Sequence, residues 1–177
     1  MRKIEYYVAV SLDGYIAGLN ESIELFATEG PLVDQYTQDL QEYDTVIMGR
    51  KTYEFGYKYG LPPGQPAYPH MHHYIFSNSL KFENPHERVT VMKQDLSEVQ
   101  KLKEKEGSSI YLCGGGVFAG WLLENKLLDR VKLKLNPIIL GRGTPLFGNS
   151  PITMKLHQTN VKEFDDGLSL RTYDVHY

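Results

Sequence analysis

We predict an α/β fold whose sheet is mainly parallel and carries an antiparallel hairpin at one edge. Short apolar runs alternate with helix-like segments along most of the chain, and this alternation favours parallel pairing. Near the C-terminus, two long β segments flank Asp166-Gly167, a strong hairpin signal. The length of 177 residues favours one domain spanning residues 1–177.

The elements of the first half follow from apolar periodicity and turn residues. Apolar side chains alternate from Ile4 into Ser11 and predict a strand, after which Asp13-Gly14 turns the chain. Proline in the first turn and an apolar stripe predict a helix over residues 31–43. Next come a strand over 46–48, a short helix over 51–55, a long loop over 57–73 and a strand over 74–76.

The second half continues the alternation. After a strand over 89–92, Asp95 and Glu98 form a capping-box pattern before a helix that Gly107 ends. A strand over 110–112 leads through three glycines into an apolar helix from Val117 to about residue 126. A strand over 131–135, a glycine-rich loop over 141–148 and the C-terminal hairpin complete the chain.

Composition narrows the function classes. A net charge of −3 gives no bulk attraction to nucleic acid or membranes, so we expect neither as a partner. The single cysteine, Cys113, excludes an intramolecular disulfide and a multi-thiolate zinc site, and it fits a reducing cytoplasm. The N-terminus lacks the apolar core of a signal peptide, and no apolar stretch is long enough to span a bilayer.

The first motif with chemical content lies at residues 44–54. A buried strand ends at Gly49, and Arg50, Lys51 and Thr52 follow at a predicted helix start. Helix N-terminal N–H groups attract anions, and a guanidinium holds a phosphate with two parallel hydrogen bonds. The segment therefore predicts a phosphorylated ligand such as a dinucleotide with a 2′-phosphate, and Ser77 and Asn78 are candidates to join this site.

The second motif is the strand–glycine–helix segment at residues 112–119. Gly114, Gly115 and Gly116 let the backbone approach a pyrophosphate at a helix N-terminus. The alternative is a tight strand–helix turn that needs glycine for packing. As a Rossmann fingerprint the motif is weak, since no acidic residue ends the next strand. Both motifs lie beyond strand carboxyl ends, where open α/β sheets bind ligands.

The chain resembles the dihydrofolate reductase superfamily, and within it the reductase domain of the bifunctional riboflavin-pathway deaminase-reductase and its stand-alone relatives. No deaminase zinc signature is present. The resemblance implies a three-layer dihydrofolate-reductase-like fold. The segments that carry it are AVSLDGYIA (9–17), VIMGRKTYE (46–54), YIFS (74–77), CGGG (113–116) and PIILGRGTPLF (137–147).

This resemblance implies an NADPH-dependent oxidoreductase, and a homodimer by analogy with relatives. Ala9 and Ile16 would flank the nicotinamide, and Ser77 and Asn78 would lie near the 2′-phosphate. The remaining cofactor-binding positions implied are Gly49, Arg50, Lys51, Thr52, Cys113, Gly114, Gly115, Gly116, Val117 and Phe118. We expect no metal.

The substrate side departs from folate reductases. Their tryptophan after the first strand is missing, since the only tryptophan is Trp121, and the region before the third strand lacks their folate-pairing arginine. An unpaired buried carboxylate would cost several kcal/mol, on the order of a lost charged hydrogen bond or more. We therefore expect a heterocycle such as 5-amino-6-(5-phosphoribosylamino)uracil. The alternatives are a folate or pterin, or a non-catalytic NADPH-binding protein.

The proton donor is open between Asp34 and water. Asp34 lies closest to the helix position at which folate reductases keep a carboxylate, but an acid in a helix first turn is also favoured when merely solvated. His70, His72 and His73 lack a carboxylate or thiolate cluster, so an exposed loop beside an aromatic pocket or a dimer contact is favoured over a metal site.

Overall fold

The computed structural model describes all 177 residues and contains ten strands and four α-helices. The strands are β1 (Ile4–Ser11), β2 (Tyr15–Ala17), β3 (Thr45–Gly49), β4 (His72–Phe76), β5 (Val89–Met92), β6 (Ile110–Gly114), β7 (Arg130–Asn136), β8 (Thr144–Pro145), β9 (His157–Glu163) and β10 (Ser169–Asp174). The helices are α1 (Pro31–Leu40), α2 (Arg50–Phe55), α3 (Leu96–Glu104) and α4 (Gly116–Glu124).

Eight strands form one sheet in the order β5-β4-β3-β6-β1-β7-β10-β9. The first six run parallel, and β10 pairs antiparallel with both β7 and β9. The predicted α/β fold with an antiparallel hairpin edge is thus confirmed. The sequence analysis missed the short antiparallel pair β2–β8, whose two segments lie over one hundred residues apart and carry no strand periodicity.

Several predicted boundaries were wrong. The helix expected over residues 31–43 ends at Leu40, because the next three residues form tight turns and Tyr43 is buried with its hydroxyl donating to Glu5 (2.7 Å). The loop expected over 57–73 begins as a 3-10 turn at Gly56–Tyr59, and its last two residues belong to β4. The capping box is also incomplete, since Asp95 accepts from the Ser97 N–H and Glu98 instead pairs with Lys101.

The sheet is covered on both faces, so the molecule has three layers. Strand β1 shows why: Tyr6 faces the core beneath α3 and α4, Tyr7 faces the core beneath α1, and both are fully buried. Each such large side chain contributes about 1.5–3 kcal/mol by burial. The predicted first strand is therefore a central strand that is buried on both faces.

The parallel pairing places several strand ends at one edge of the sheet. Gly49 of β3 lies opposite Phe76 of β4, and Met48 lies opposite Gly114 of β6. Both sequence motifs follow these strand ends, so the fold brings them together. None of the helices is long and apolar enough to cross a membrane.

Candidate active site

The Arg50 motif begins α2 at the end of β3. Arg50 is exposed, and its guanidinium donates from Nε to Glu54 (2.8 Å) and from Nη1 to the Ser79 hydroxyl (3.0 Å). Lys51 is also exposed. Both cations therefore lie at the surface beside the loop that follows β4, where an incoming anion reaches them without desolvating the protein interior.

The loop after β4 reaches Arg50 through Ser79 rather than through the predicted Ser77 and Asn78. The Ser77 hydroxyl accepts from the N–H groups of Ser79 and Leu80 (3.2 and 3.0 Å), and the Asn78 amide oxygen accepts from Gln94 N–H (3.3 Å). These contacts shape the turn that presents Ser79. Sequence reasoning missed Ser79 because only the fold brings it to Arg50.

Glycine is needed where the end of β6 passes α2. A Cβ on Gly114 or Gly115 would lie 3.5 or 3.0 Å from the Thr52 hydroxyl oxygen, and Gly114 has a φ of +144°. A side chain at either position would fill the space between the two segments. We call the groove formed by Gly114, Gly115 and Thr52 the glycine cradle, and its walls are backbone and a hydroxyl, which suit a pyrophosphate.

The other predicted cofactor-binding residues, Gly116, Val117 and Phe118, lie at the start of α4 and have different roles. A Cβ on Gly116 would overlap the Pro145 carbonyl oxygen and lie 3.0 Å from Gly148 N, so packing explains this glycine. Phe118 is buried and stacks on Phe76 with ring centroids 4.8 Å apart, while Val117 is 73% exposed. Only Val117 of these three faces solvent beside the cradle.

The two residues expected to flank a nicotinamide lie on adjacent structures. Ala9, in β1, and Ile16, in β2, are both partly exposed. Asp13 fixes the turn between them, since its carboxylate accepts from the Ser11 hydroxyl (2.6 Å) and from Gly141 N–H (2.7 Å). The hydrogen bond from Ser11, together with those from the Gly141 and Leu140 N–H groups, lowers the pKa of Asp13.

A cluster of aromatic side chains lies beneath α1, on the sheet face of Tyr7, and we call it the tyrosine recess. Tyr7 and Tyr111 form its buried floor, and the partly exposed members are Tyr36, Tyr68, Cys113 and Lys134. The hydroxyls of Tyr36 and Tyr111 are 2.6 Å apart, and the rings of Tyr7 and Tyr36 meet edge-on with centroids 5.0 Å apart. Because Cys113 and Gly114 are consecutive, the recess and the cradle meet at the end of β6.

Lys134 brings a cation into the recess that the sequence analysis did not identify. Its Nζ lies 3.2 Å from the centroid of the Tyr36 ring, and burial lowers its pKa to about 8. A lysine in a strand that alternates Lys132, Leu133 and Lys134 reads as a solvated residue, so no sequence signal distinguished it.

The predicted donor Asp34 lies on the exposed side of α1. The helix face that packs toward the sheet carries Tyr36 and Asp39, whose carboxylate accepts from the Tyr7 hydroxyl (2.9 Å). The structure thus brings Asp39, rather than Asp34, to the border of the recess. A role for Asp34 stays a prediction.

The three histidines do not converge. His72 is exposed, and His70 contacts the Leu40 carbonyl through Nε2 (2.9 Å). His73 is fully buried, contrary to the expected exposed loop, because it lies in β4 and its ring stacks on Tyr68. Its Nε2 accepts from Tyr68 N–H and its Nδ1 donates to the Met71 carbonyl, both at 3.1 Å.

Residues 2–170 match the RibD C-terminal domain family. The chain is 32% identical to the uncharacterised Bacillus subtilis protein YwjB over 96% of each chain. It is 28% identical to YyaP of the same organism, over 94% of this chain and 92% of that one. The chain therefore belongs to the RibD C-terminal domain family, a family of reductase domains.

Solved structures share the fold. A candidate riboflavin biosynthesis protein of Shewanella sp. PV-4 is 25% identical, with a TM-score of 0.80 and 98% of each chain covered. A deaminase and 5-amino-6-(5-phosphoribosylamino)uracil reductase of Thermotoga maritima is 19% identical, with a TM-score of 0.69. The match covers 98% of this chain and 56% of that one. The resemblance and the fold predicted from the sequence are thus confirmed.

Proposed function

We propose that this RibD-type domain is an NADPH-dependent reductase of a small heterocycle, of the type of 5-amino-6-(5-phosphoribosylamino)uracil. The observation that carries the proposal is the meeting of the glycine cradle and the tyrosine recess at Cys113-Gly114. One half suits a pyrophosphate, the other suits a planar ring, and their junction is where a nicotinamide and a substrate would face each other.

The cofactor half fits the proposed dinucleotide in shape and charge. Gly114 and Gly115 leave open a groove that a Cβ would fill, beside the Thr52 hydroxyl. Arg50 and Ser79 form a hydrogen-bonded pair at its outer end and would hold the 2′-phosphate, with Lys51 adding charge. When bound, the reduced nicotinamide would supply a hydride.

The substrate half fits a planar heterocycle. The partly exposed Tyr36 and Tyr68 would offer aromatic surface for stacking or edge contacts and hydroxyls that orient a polar ring. In the segment before β4, where folate reductases carry their arginine, His70 instead contacts the Leu40 carbonyl. The missing arginine favours a pyrimidine-like substrate over a folate.

The test mixes the protein with NADPH and pyrimidine or pterin substrates and follows the loss of reduced-nicotinamide absorbance. We expect turnover of a ribosylaminopyrimidine and little turnover of dihydrofolate. Tight NADPH binding without any turnover would instead support the non-catalytic alternative, and absence of NADPH binding would refute the proposal. Sedimentation velocity on the same sample tests the proposed homodimer, and cell fractionation tests the proposed cytoplasmic location.

A further inference from the structure

Lys134 differs from the other cations on its face of the sheet. Arg130 contacts Glu5 (3.2 Å) and Asp174 (2.8 Å), and Lys132 contacts Asp39 (3.3 Å). The Lys134 ammonium has no carboxylate or carbonyl within hydrogen-bond distance, yet its side chain is largely buried. The ammonium group therefore contacts the face of the Tyr36 ring, but no oxygen of the protein accepts its hydrogen bonds.

Lys134 lies next to the position expected for the nicotinamide. It pairs in register with Ala9 of β1, the residue expected beside the nicotinamide. Its Nζ lies over the Tyr36 ring at 3.2 Å and within 6.0 Å of the Tyr7 ring. Lys134 thus lies in the tyrosine recess next to the strand that would border the cofactor.

The charged and titratable neighbours of Lys134 are few. They are Tyr7 on β1, Tyr36 on α1, Tyr68 in the loop before β4, Tyr111 and Cys113 on β6, and the Lys132–Asp39 pair, while Leu170 opposite on β10 is uncharged. Burial raises the pKa of Tyr36 to about 12 and raises that of Tyr7 further. Neither phenol therefore ionises near pH 8, where the Lys134 ammonium loses its proton.

We propose that Lys134 donates the proton that accompanies hydride transfer to the heterocyclic substrate. This inference rests on the proposed reductase function. The carbon of a substrate C=N bond gains a hydride from the reduced nicotinamide, the π bond breaks, and the nitrogen takes a proton from the Lys134 ammonium. The neutral amine is then reprotonated by solvent, so atoms and electrons balance.

This assignment solves a difficulty left by the carboxylates. Asp34 is exposed on α1, and Asp39 already accepts from Tyr7 and contacts Lys132. Neither carboxylate is therefore free in the recess to donate a proton to the substrate. General acids work best when their pKa lies near the operating pH. The pKa of Lys134, lowered to about 8 by burial, meets that condition, whereas an ordinary lysine would hold its proton too tightly.

The test compares Lys134→Met and Lys134→Arg with Lys132→Met, a control two residues along the same strand and face. We expect both Lys134 variants to lower kcat about 100-fold, the usual scale of general acid catalysis, with NADPH affinity unchanged within about twofold. Lys132→Met should stay within about threefold of wild type. A Lys134→Arg enzyme with near wild-type kcat would overturn the role, because arginine keeps the charge but cannot release a proton.

Two further readouts keep the inference independent of turnover. In ¹³C-lysine-labelled protein, the Lys134 resonance, assigned by its loss in Lys134→Arg, should titrate with a midpoint near pH 8. The wild-type kcat should fall above that pH, and this limb should persist in Cys113→Ala and vanish in Lys134→Met. A midpoint near the ordinary lysine value of about 10.4 refutes the inference. Absence of NADPH binding refutes the proposed function instead.

Discussion

The glycine cradle and the tyrosine recess are built in opposite ways although they share the end of β6. The cradle is made of backbone from one short turn and of the Thr52 hydroxyl, and it works by leaving side chains out. The recess is made of large side chains from β1, α1, β6, β7 and the loop before β4. A groove of the first kind tolerates few substitutions, whereas a recess of the second kind changes its specificity with each one.

This difference predicts that the two halves respond differently to substitution. Hydrogen bonds from backbone N–H groups depend on the path of the chain, so they survive changes in the surrounding side chains but not in the glycines themselves. Contacts in the recess depend on which rings and charges point inward, as Lys134 does here. Four substitutions test the cradle and the recess separately, and the largest expected effect comes first.

The largest effect is expected for Gly116→Ala, which disrupts the packing next to the cradle. The new Cβ would overlap the Pro145 carbonyl oxygen, so the free energy of unfolding should fall by about 3 kcal/mol, or more if the loop cannot move. Urea denaturation measures this. Gly49→Ala is the control, because its Cβ would meet Phe118 at an ordinary 3.5 Å. Equal stability of the two variants would contradict the packing role of Gly116.

The second effect is a pH dependence of stability that comes from His73, which stacks on Tyr68 of the recess. Burial lowers the pKa of His73 to about 4, from about 6.5 in the unfolded chain. The unfolded state therefore binds more protons between these values, so the stability from this residue is present above pH 6.5 and is lost as the pH falls toward 4. We expect a loss of about 2 kcal/mol between pH 7 and pH 5.

Thermal and urea unfolding across this range measure the loss in wild type and in two variants. His73→Gln should flatten the pH dependence by that amount, whereas His72→Gln, an exposed neighbour on the same strand, should leave it unchanged. A His73→Gln protein with the wild-type slope would show that this ring does not govern the acid response.

The third effect concerns cofactor choice. Arg50→Ala should weaken NADPH binding about tenfold and NADH binding less than twofold, because an exposed charged hydrogen bond to a 2′-phosphate contributes on the order of 1.4 kcal/mol. Fluorescence titration with each dinucleotide measures both constants. Lys58→Ala removes a similar surface charge next to α2, and its two constants should not change. Equal losses of NADPH and NADH affinity in Arg50→Ala would mean that Arg50 does not bind the 2′-phosphate.

The smallest effect is expected for Tyr36→Phe, which removes one hydroxyl from the recess. Its bond to the Tyr111 hydroxyl is lost, and the free energy of unfolding should fall by about 1 kcal/mol with no change in NADPH affinity. Tyr111→Phe should lower the free energy of unfolding by the same amount. The double variant should lower it no further than either single variant, because both hydroxyls belong to one hydrogen bond. Additive losses would mean that the two hydroxyls act separately.

What the sequence could and could not predict follows the same division. Local signals sufficed for the alternation of strands and helices, the hairpin at Asp166-Gly167 and the glycine turn, because each depends on residues close in the chain. The pair β2–β8, Ser79 beside Arg50 and Lys134 over Tyr36 depend on segments far apart in the chain. Periodicity carries no information about such contacts. Gly116 shows a further limit of prediction from sequence. A glycine required for packing and a glycine required for ligand binding look the same in the sequence, and only the structure assigns Gly116 to packing.

The most direct test of the central claim is a titration of ¹⁵N-labelled protein with NADPH, followed by amide chemical shifts. If the cradle binds the dinucleotide, the largest changes should fall on Thr52, Ser79, Gly114 and Gly115, with Cys113 marking the border of the recess. Absence of changes, or changes centred on the cationic strands around Arg130 and Lys162, would contradict the account.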